Sequence, residues 1–73
     1  MKTFFFNLRL SYEECRPLYL GTVQNLIVRT DTGERVQLPV VNLRPFVEMQ
    51  GLKGRFRLIV NEYNKIHSLE RVN

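Results

Sequence analysis

Hydrophobic and polar residues alternate at the start of the chain, between Thr3 and Leu10. The even-numbered positions of this segment are apolar, whereas the odd-numbered positions are polar except for Phe5. A period of two is typical of a β-strand that buries one face, so the pattern predicts a strand over these residues. Phe5 breaks the alternation and is expected to point outward.

A short helix is predicted directly after this strand. Ser11 and Glu14 form a capping box, in which the serine hydroxyl accepts from the Glu14 amide and the glutamate side chain reaches back. Pro17 removes a hydrogen-bond donor from the interior of the helix, and Gly21 provides a left-handed stop. We therefore expect a helix of about two turns.

Two hairpins are predicted in the rest of the chain. The first has alternating, β-branched strands at Val23 to Thr30 and Arg35 to Val40, joined by the turn residues 31–34. Pro39 cannot donate to a central ladder, so the second strand should end near it. The second hairpin is expected to run from Arg55 to Asn61, turn at 62–65, and return from Ile66 to Val72.

The segment between the two hairpins is expected to form one helical or 3₁₀ turn over Val41 to Val47. Leu43, Phe46 and Val47 would insert into the core from this turn. Gly51 and Gly54 then bracket a loop in which positive φ angles are expected.

The predicted fold class is α+β and mainly β, in a single domain over residues 1–73. We expect about five antiparallel strands in a curved sheet or small, partly open barrel. One short N-terminal helix and a one-turn helix before the last hairpin complete the prediction. The composition, 44% hydrophobic and 25% charged, is that of an ordinary folded domain.

The sequence contains one cysteine, Cys15, and one histidine, His67. A single cysteine forms no internal disulfide, which favours a reducing, cytoplasmic location. Asn7 and Arg9 interrupt the first apolar run before it reaches the length of an export signal, and no apolar stretch is long enough to span a membrane. We therefore predict neither a targeting segment nor contact with a membrane.

Candidate chemistry is sparse. One cysteine and one histidine exclude a metal site built mainly on these residues and leave at most a Cys15–His67 pair. Gly51, Lys53 and Gly54 lack the spacing of a phosphate-binding loop. The prediction is accordingly a non-enzymatic domain with no catalytic residues, no metal and no cofactor.

The formal net charge is +4, and most of it lies in one segment. Residues 44–57 carry Arg44, Lys53, Arg55 and Arg57 against Glu48 alone. Strand alternation places Arg55 and Arg57 on the outer face, about 6.5 to 7 Å apart, where two guanidinium groups can cradle phosphate or carboxylate. These four basic residues are the predicted binding site.

One alternative remains open for this segment. Glu48, Glu62 or Glu70 could neutralise the arginines as ordinary cross-strand ion pairs on a solvated face. A nucleic-acid-binding sheet would also present exposed aromatic rings, for which Phe5, Tyr19 and Tyr63 are candidates. No paired aromatic signature of an RNA-recognition sheet occurs, so the sequence does not support base stacking.

The leading hypothesis is a binding module that contacts an anionic partner, such as nucleic acid, through the basic segment. The alternative is a protein-interaction or homodimerising module that uses an exposed sheet edge. Phe5, Ile27 and Ile59 support the alternative because they are apolar residues at expected outward positions.

Several motifs resemble those of a small bacterial family of uncharacterised proteins, classed as a domain of unknown function. The motifs are Ser11-x-x-Glu14, Tyr19-x-Gly21, Gly33-x-x-Val36-x-x-Pro39, Leu43-Arg44-Pro45-Phe46-Val47 and Gly51-Leu52-Lys53-Gly54-Arg55-Phe56. The resemblance covers nearly the whole chain and implies a short, stand-alone bacterial protein. It implies no activity.

Overall fold

The computed structural model describes residues 1–72. Its elements, in chain order, are β1 (Lys2–Leu10), α1 (Tyr12–Leu20), β2 (Asn25–Arg29), β3 (Arg35–Pro39), two 3₁₀ turns (Val40–Asn42 and Arg44–Phe46), β4 (Leu52–Val60) and β5 (Ile66–Arg71). The strands form two antiparallel sheets, one with the order β1-β4-β5 and one made of β2 and β3. The prediction of a mainly β fold with five antiparallel strands is confirmed.

The expectation of a single curved sheet or partly open barrel is wrong, because the two sheets do not join through a ladder. β3 ends at Pro39, which has no amide to continue the pairing, and the chain then enters the 3₁₀ turns. A backbone hydrogen bond of 2.8 Å from the Asp31 amide to the Phe5 carbonyl joins the tip of the β2–β3 hairpin to β1.

The buried face of the three-stranded sheet explains the alternation of the first strand. Phe6 of β1 lies opposite Phe56 of β4, and their stacked rings have centroids 5.5 Å apart. Phe46, from the second 3₁₀ turn, meets Phe56 edge-on at 5.3 Å. The other fully buried side chains of the same core cluster are Cys15, Leu38, Leu43, Leu52 and Leu58.

The helix begins and ends where the sequence predicts. The Ser11 amide donates to Glu14 Oε1 at 2.9 Å, and the Glu14 amide donates to Ser11 Oγ at 3.2 Å. Gly21 ends the helix with a left-handed φ of 74°. Cys15 and Leu18 face the core. No helix within residues 1–72 has the length and apolarity needed to cross a membrane.

The connection between β3 and β4 is more regular than expected. The sequence predicts one helical or 3₁₀ turn here, but the structure has two successive 3₁₀ turns separated by Leu43, which is completely buried. Phe46 and Val47 pack against the core from the same segment, as the sequence predicts.

β4 begins at Leu52, so the prediction of a loop over residues 51–54 is wrong. The positive φ angles of Gly51 and Gly54, 109° and 144°, are confirmed. Gly54 adopts its φ within the strand and still pairs with Leu8, because glycine has no side chain to strain this backbone. The strand therefore runs through a residue that the sequence marks as a break.

Candidate functional site

The odd-numbered residues of β1 and β4 point away from the core and form what we call the outer face of the three-stranded sheet. Burial alternates along both strands. The β1–β4 register pairs the odd-numbered residues of β1 with the odd-numbered residues of β4. The outer face consists of Thr3, Phe5, Asn7 and Arg9 from β1, Lys53, Arg55, Arg57 and Ile59 from β4, and Ser68 and Glu70 from β5.

Arg9 and Lys53 lie directly opposite each other on this face. The Phe5 carbonyl points away from β4, toward the Asp31 amide, so the outer-face residues of β1 occupy non-hydrogen-bonded positions of the β1–β4 ladder. In such pairs the Cα atoms are only about 4.5 Å apart and the side chains are close. Neither Arg9 nor Lys53 forms an ion pair with any residue that the structure describes.

Arg55 reaches across β1 to the tip of the β2–β3 hairpin. Its guanidinium group makes two hydrogen bonds with the Asp31 carboxylate, Nη1 to Oδ1 at 3.3 Å and Nη2 to Oδ2. The hydrogen bonds from Arg55 lower the pKa of Asp31, and the same carboxylate raises the pKa of Arg55. Both groups therefore remain charged at neutral pH.

The guanidinium carbon of Arg55 also lies over the ring of Phe5, 5.2 Å from its centroid. Phe5 is 37% exposed, so this ring is open to solvent near the middle of the basic face. The outward position predicted for Phe5 from the broken alternation is confirmed. An aromatic ring and a cation thus share one small surface.

Arg57 lies opposite Phe5 on one side and Glu70 on the other. Its Nη2 donates to Glu70 Oε2 at 3.1 Å. The Nε atom of Arg57 is buried and has no hydrogen-bond partner within the described part of the chain. The guanidinium group is consequently held by a single acceptor on this face.

The alternative of ordinary ion pairing is therefore correct in part. Glu70 pairs with Arg57, as one of the proposed partners, whereas Glu48 binds Arg71, with Nη1 and Oε1 2.7 Å apart. Asp31, which the sequence assigns only to a turn, is the unexpected partner of Arg55.

Arg44 lies apart from the other three predicted site residues. It belongs to the second 3₁₀ turn, and its Nε donates to the Leu18 carbonyl of α1 at 2.9 Å. The last carbonyls of a helix have no partner within the helix, and a cationic donor there also complements the helix dipole. The structure places Lys53, Arg55 and Arg57 together on the outer face, whereas Arg44 lies beside α1.

A second pair of opposed cations, Arg29 and Arg35, lies at the end of the β2–β3 hairpin. Both residues are exposed, and neither belongs to the outer face of the three-stranded sheet. Nearby on the same hairpin Ile27 is 62% exposed, while Ile59 of β4 is only half-buried. Of the two isoleucines predicted to point outward, Ile27 is therefore well exposed and Ile59 is only partly exposed.

Cys15 and His67 are too far apart to act as a pair. Cys15 is completely buried and its sulfur has the Leu52 backbone as a hydrogen-bond neighbour, at the start of β4. His67 is exposed in a β-bulge beside Ile59 and Val60, at the other end of that strand, roughly 23 Å away along the strand. Burial raises the pKa of the Cys15 thiol, which makes it a poor nucleophile.

No group of three or more histidine, cysteine, aspartate or glutamate side chains within residues 1–72 is arranged to hold a metal ion.

The fold and the outer face define a small, mainly β domain whose antiparallel sheet packs one face on the core and leaves a basic face open. The chain belongs to the family described as "Protein of unknown function (DUF2835)", whose family model matches residues 2–72. The resemblance drawn from the sequence motifs to a family of this kind is thereby confirmed. No curated protein and no solved structure matches the chain.

Proposed function

We propose that this domain is a non-enzymatic binding module whose outer face contacts an anionic partner such as nucleic acid. The binding residues are Arg9, Lys53, Arg55 and Arg57. Arg9 is added to the set of basic residues predicted from the sequence. Arg44 is removed from that set because its side chain donates a hydrogen bond to the Leu18 carbonyl.

The opposed pair of Arg9 and Lys53 carries this proposal. Like charges directly opposite each other in a sheet destabilise it. A bound polyanion places negative charge between them and relieves this repulsion. Asp31 and Glu70 offset two of the four cations on the outer face, so the pair is the part of the face where positive charge remains unbalanced.

Binding of this kind is expected to depend steeply on salt. Each phosphate neutralised by a cation releases counterions, so affinity falls as salt rises. For single strands, each such contact adds about 0.7 to the magnitude of the slope of log affinity against log salt. The exposed ion pair between Arg57 and Glu70 rests on one hydrogen bond and is weak, so Arg57 remains able to contact phosphate.

The experiment is a titration of labelled single- and double-stranded nucleic acid at low and moderate salt. The test variant is the double substitution Arg9→Ala, Lys53→Ala. Its matched control is Arg29→Ala, Arg35→Ala, which removes two exposed, opposed cations from the other sheet.

We expect the magnitude of the slope of log affinity against log salt for single strands to decrease by about 1.4 in the test variant and to change little in the control. Equal weakening in both variants would assign the effect to net charge and remove the proposed site. Absence of binding by the wild-type domain at low salt would overturn the proposal.

A homodimerising module is the second candidate, and the free edge of β5 supports it. β5 has a strand neighbour on one side only within residues 1–72. Because the Val72 amide donates to the Arg55 carbonyl, alternation turns the peptide groups of Leu69 and Arg71 toward the free edge. Sedimentation measurements over a range of protein concentrations test this candidate, which predicts a dimer that high salt does not dissociate.

We also infer a cytoplasmic location for the domain. A single, buried and unpaired cysteine is typical of proteins from reducing compartments. Recovery of the protein with the soluble cell fraction and no export would test this inference.

A further inference from the structure

We infer that the partner is single-stranded nucleic acid, whose bases stack on the surface formed by the Phe5 ring and the Arg55 guanidinium group. This inference rests on the proposed function and specifies its ligand. It begins from the exposure of Phe5 on a strand where the other outward positions are polar.

Arg55 and Phe5 together form a stacking platform. The guanidinium carbon lies 5.2 Å from the ring centroid, and two hydrogen bonds to Asp31 fix the guanidinium orientation before any ligand arrives. Aromatic rings and arginine planes are the two surfaces on which proteins stack unpaired bases. A platform ordered in advance loses less entropy when a base binds.

Cations surround this platform along the path that a nucleic-acid backbone would follow. Arg57 lies directly opposite Phe5, and Arg9 follows Phe5 on the same face of β1, about 13 Å away. Asn7, between Phe5 and Arg9 and opposite Arg55, offers a carboxamide to the edge of a stacked base. Stacking and phosphate contact are thus available on one continuous surface.

The shape of the face favours single strands over duplexes. Three neighbouring strands make a face about 10 Å wide, and its residues belong to strands and not to a projecting helix or loop. A duplex hides its base faces in the stack and exposes only base edges within grooves. The Phe5–Arg55 platform can contact bases only when they are unpaired.

The test uses the full chain and three fluorescent ligands of equal length: a thymidine oligonucleotide, an abasic oligonucleotide with the same number of phosphates, and a duplex. Affinities are measured by anisotropy at low salt. Phe5→Leu removes the ring and keeps an apolar side chain, and Tyr63→Leu is the matched control because Tyr63 is exposed in the β4–β5 turn, off this face.

We expect wild-type protein to bind the thymidine oligonucleotide roughly tenfold more tightly than the abasic one. Phe5→Leu should remove this difference between the two ligands, whereas Tyr63→Leu should preserve it. Equal wild-type affinity for the thymidine and abasic ligands, or tighter binding of the duplex, overturns base stacking while leaving an anionic partner in place. Failure of the wild-type chain to bind any of the three overturns the proposed function as well.

Discussion

Arg9 of β1 and Lys53 of β4 are directly opposed in the strand register, and neither has an ionic partner among residues 1–72. Opposite charges at such positions stabilise a sheet, whereas like charges destabilise it. The pair is therefore expected to lower the free energy of unfolding while it keeps positive charge on the outer face. Both effects can be measured.

Lys53→Glu should convert the repulsive pair into an attractive one. We expect the free energy of unfolding to rise by about 0.5 kcal/mol, and binding of nucleic acid to fall by more than tenfold. Arg35→Glu repairs the Arg29–Arg35 pair on the hairpin in the same way and serves as the control. It should stabilise the domain by a similar amount without weakening binding, as judged by chemical denaturation and titration of both variants.

The ion pair between Asp31 and Arg55 should make stability depend on acid pH. The pKa of Asp31 lies below its ordinary 3.8 in the folded protein, so its contribution is present above that pH and is lost as pH falls through the lower, native value. Asp31→Asn removes this contribution. The melting temperatures of wild type and variant should differ at neutral pH and converge in strong acid.

The capping-box residue Glu14 also has a lowered pKa, but both proteins retain it, so its effect cancels in this comparison. A difference that persists unchanged at the lowest pH would contradict the assignment to Asp31.

Release of Arg57 from Glu70 should strengthen binding. Glu70→Gln removes the negative charge that pairs with Nη2 and raises the net charge of the outer face by one, so affinity for single strands should increase several-fold and the magnitude of the salt slope should grow by about 0.7. Glu62→Gln makes the same charge change in the exposed β4–β5 turn. If both variants gain equally, the gain comes from total charge and Arg57 has no particular role.

The thiol of Cys15 should be almost unreactive in the folded domain. It is completely buried, and burial raises its pKa, so little thiolate is present and reagents cannot reach it. Alkylation should be slow in buffer and fast in denaturant, with a rate that follows the population of open molecules. Rapid modification of the native protein would reveal an accessible thiol and reopen the question of cysteine chemistry.

Gly51 should tolerate no side chain. A Cβ atom there would collide with the Leu10 carbonyl oxygen and lie 2.8 Å from the Ser11 carbonyl carbon, at a φ of 109°. We expect Gly51→Ala to destabilise the domain by at least about 2 kcal/mol. Gly33→Ala is the control, because Gly33 has a positive φ but no atom within 4 Å of a Cβ, and its cost should be about 1 kcal/mol.

The helix and the turns could be predicted because their signals are local. Ser11, Glu14 and Gly21 determine the ends of α1 through groups within a few residues, and the segment 31–34 contains the residues that its turn requires. The alternation in β1 likewise identified its buried face. Each of these features depends on short-range geometry and needs no knowledge of the fold.

The composition of the site could not be predicted because it depends on strand register. Nothing near Lys53 in the sequence indicates that Arg9 lies opposite, and nothing near Arg55 indicates Asp31, since these pairs form only when distant segments meet. Counting charge along the chain also grouped Arg44 with its sequence neighbours, although a 3₁₀ turn carries it to the helix.

The register of β1 against β4 has a consequence for when the outer face exists during folding. β2–β3 and β4–β5 are hairpins between neighbouring segments, whereas β1 must wait for a strand that follows the helix, the hairpin and the 3₁₀ turns. Long-range closure of this kind is entropically costly and slow. We expect stopped-flow mixing of denatured chain with a labelled oligonucleotide to show binding only in the final folding phase.

The same order holds during synthesis on the ribosome, where β1 emerges first and β4 much later. Phe5 and Arg9 come from one strand and Lys53, Arg55 and Arg57 from the other, so a nascent chain that lacks β4 presents no complete surface. Under the proposed function, a partner would therefore bind only finished molecules, and the growing chain would not engage nucleic acid while it is still attached to the RNA-rich ribosome.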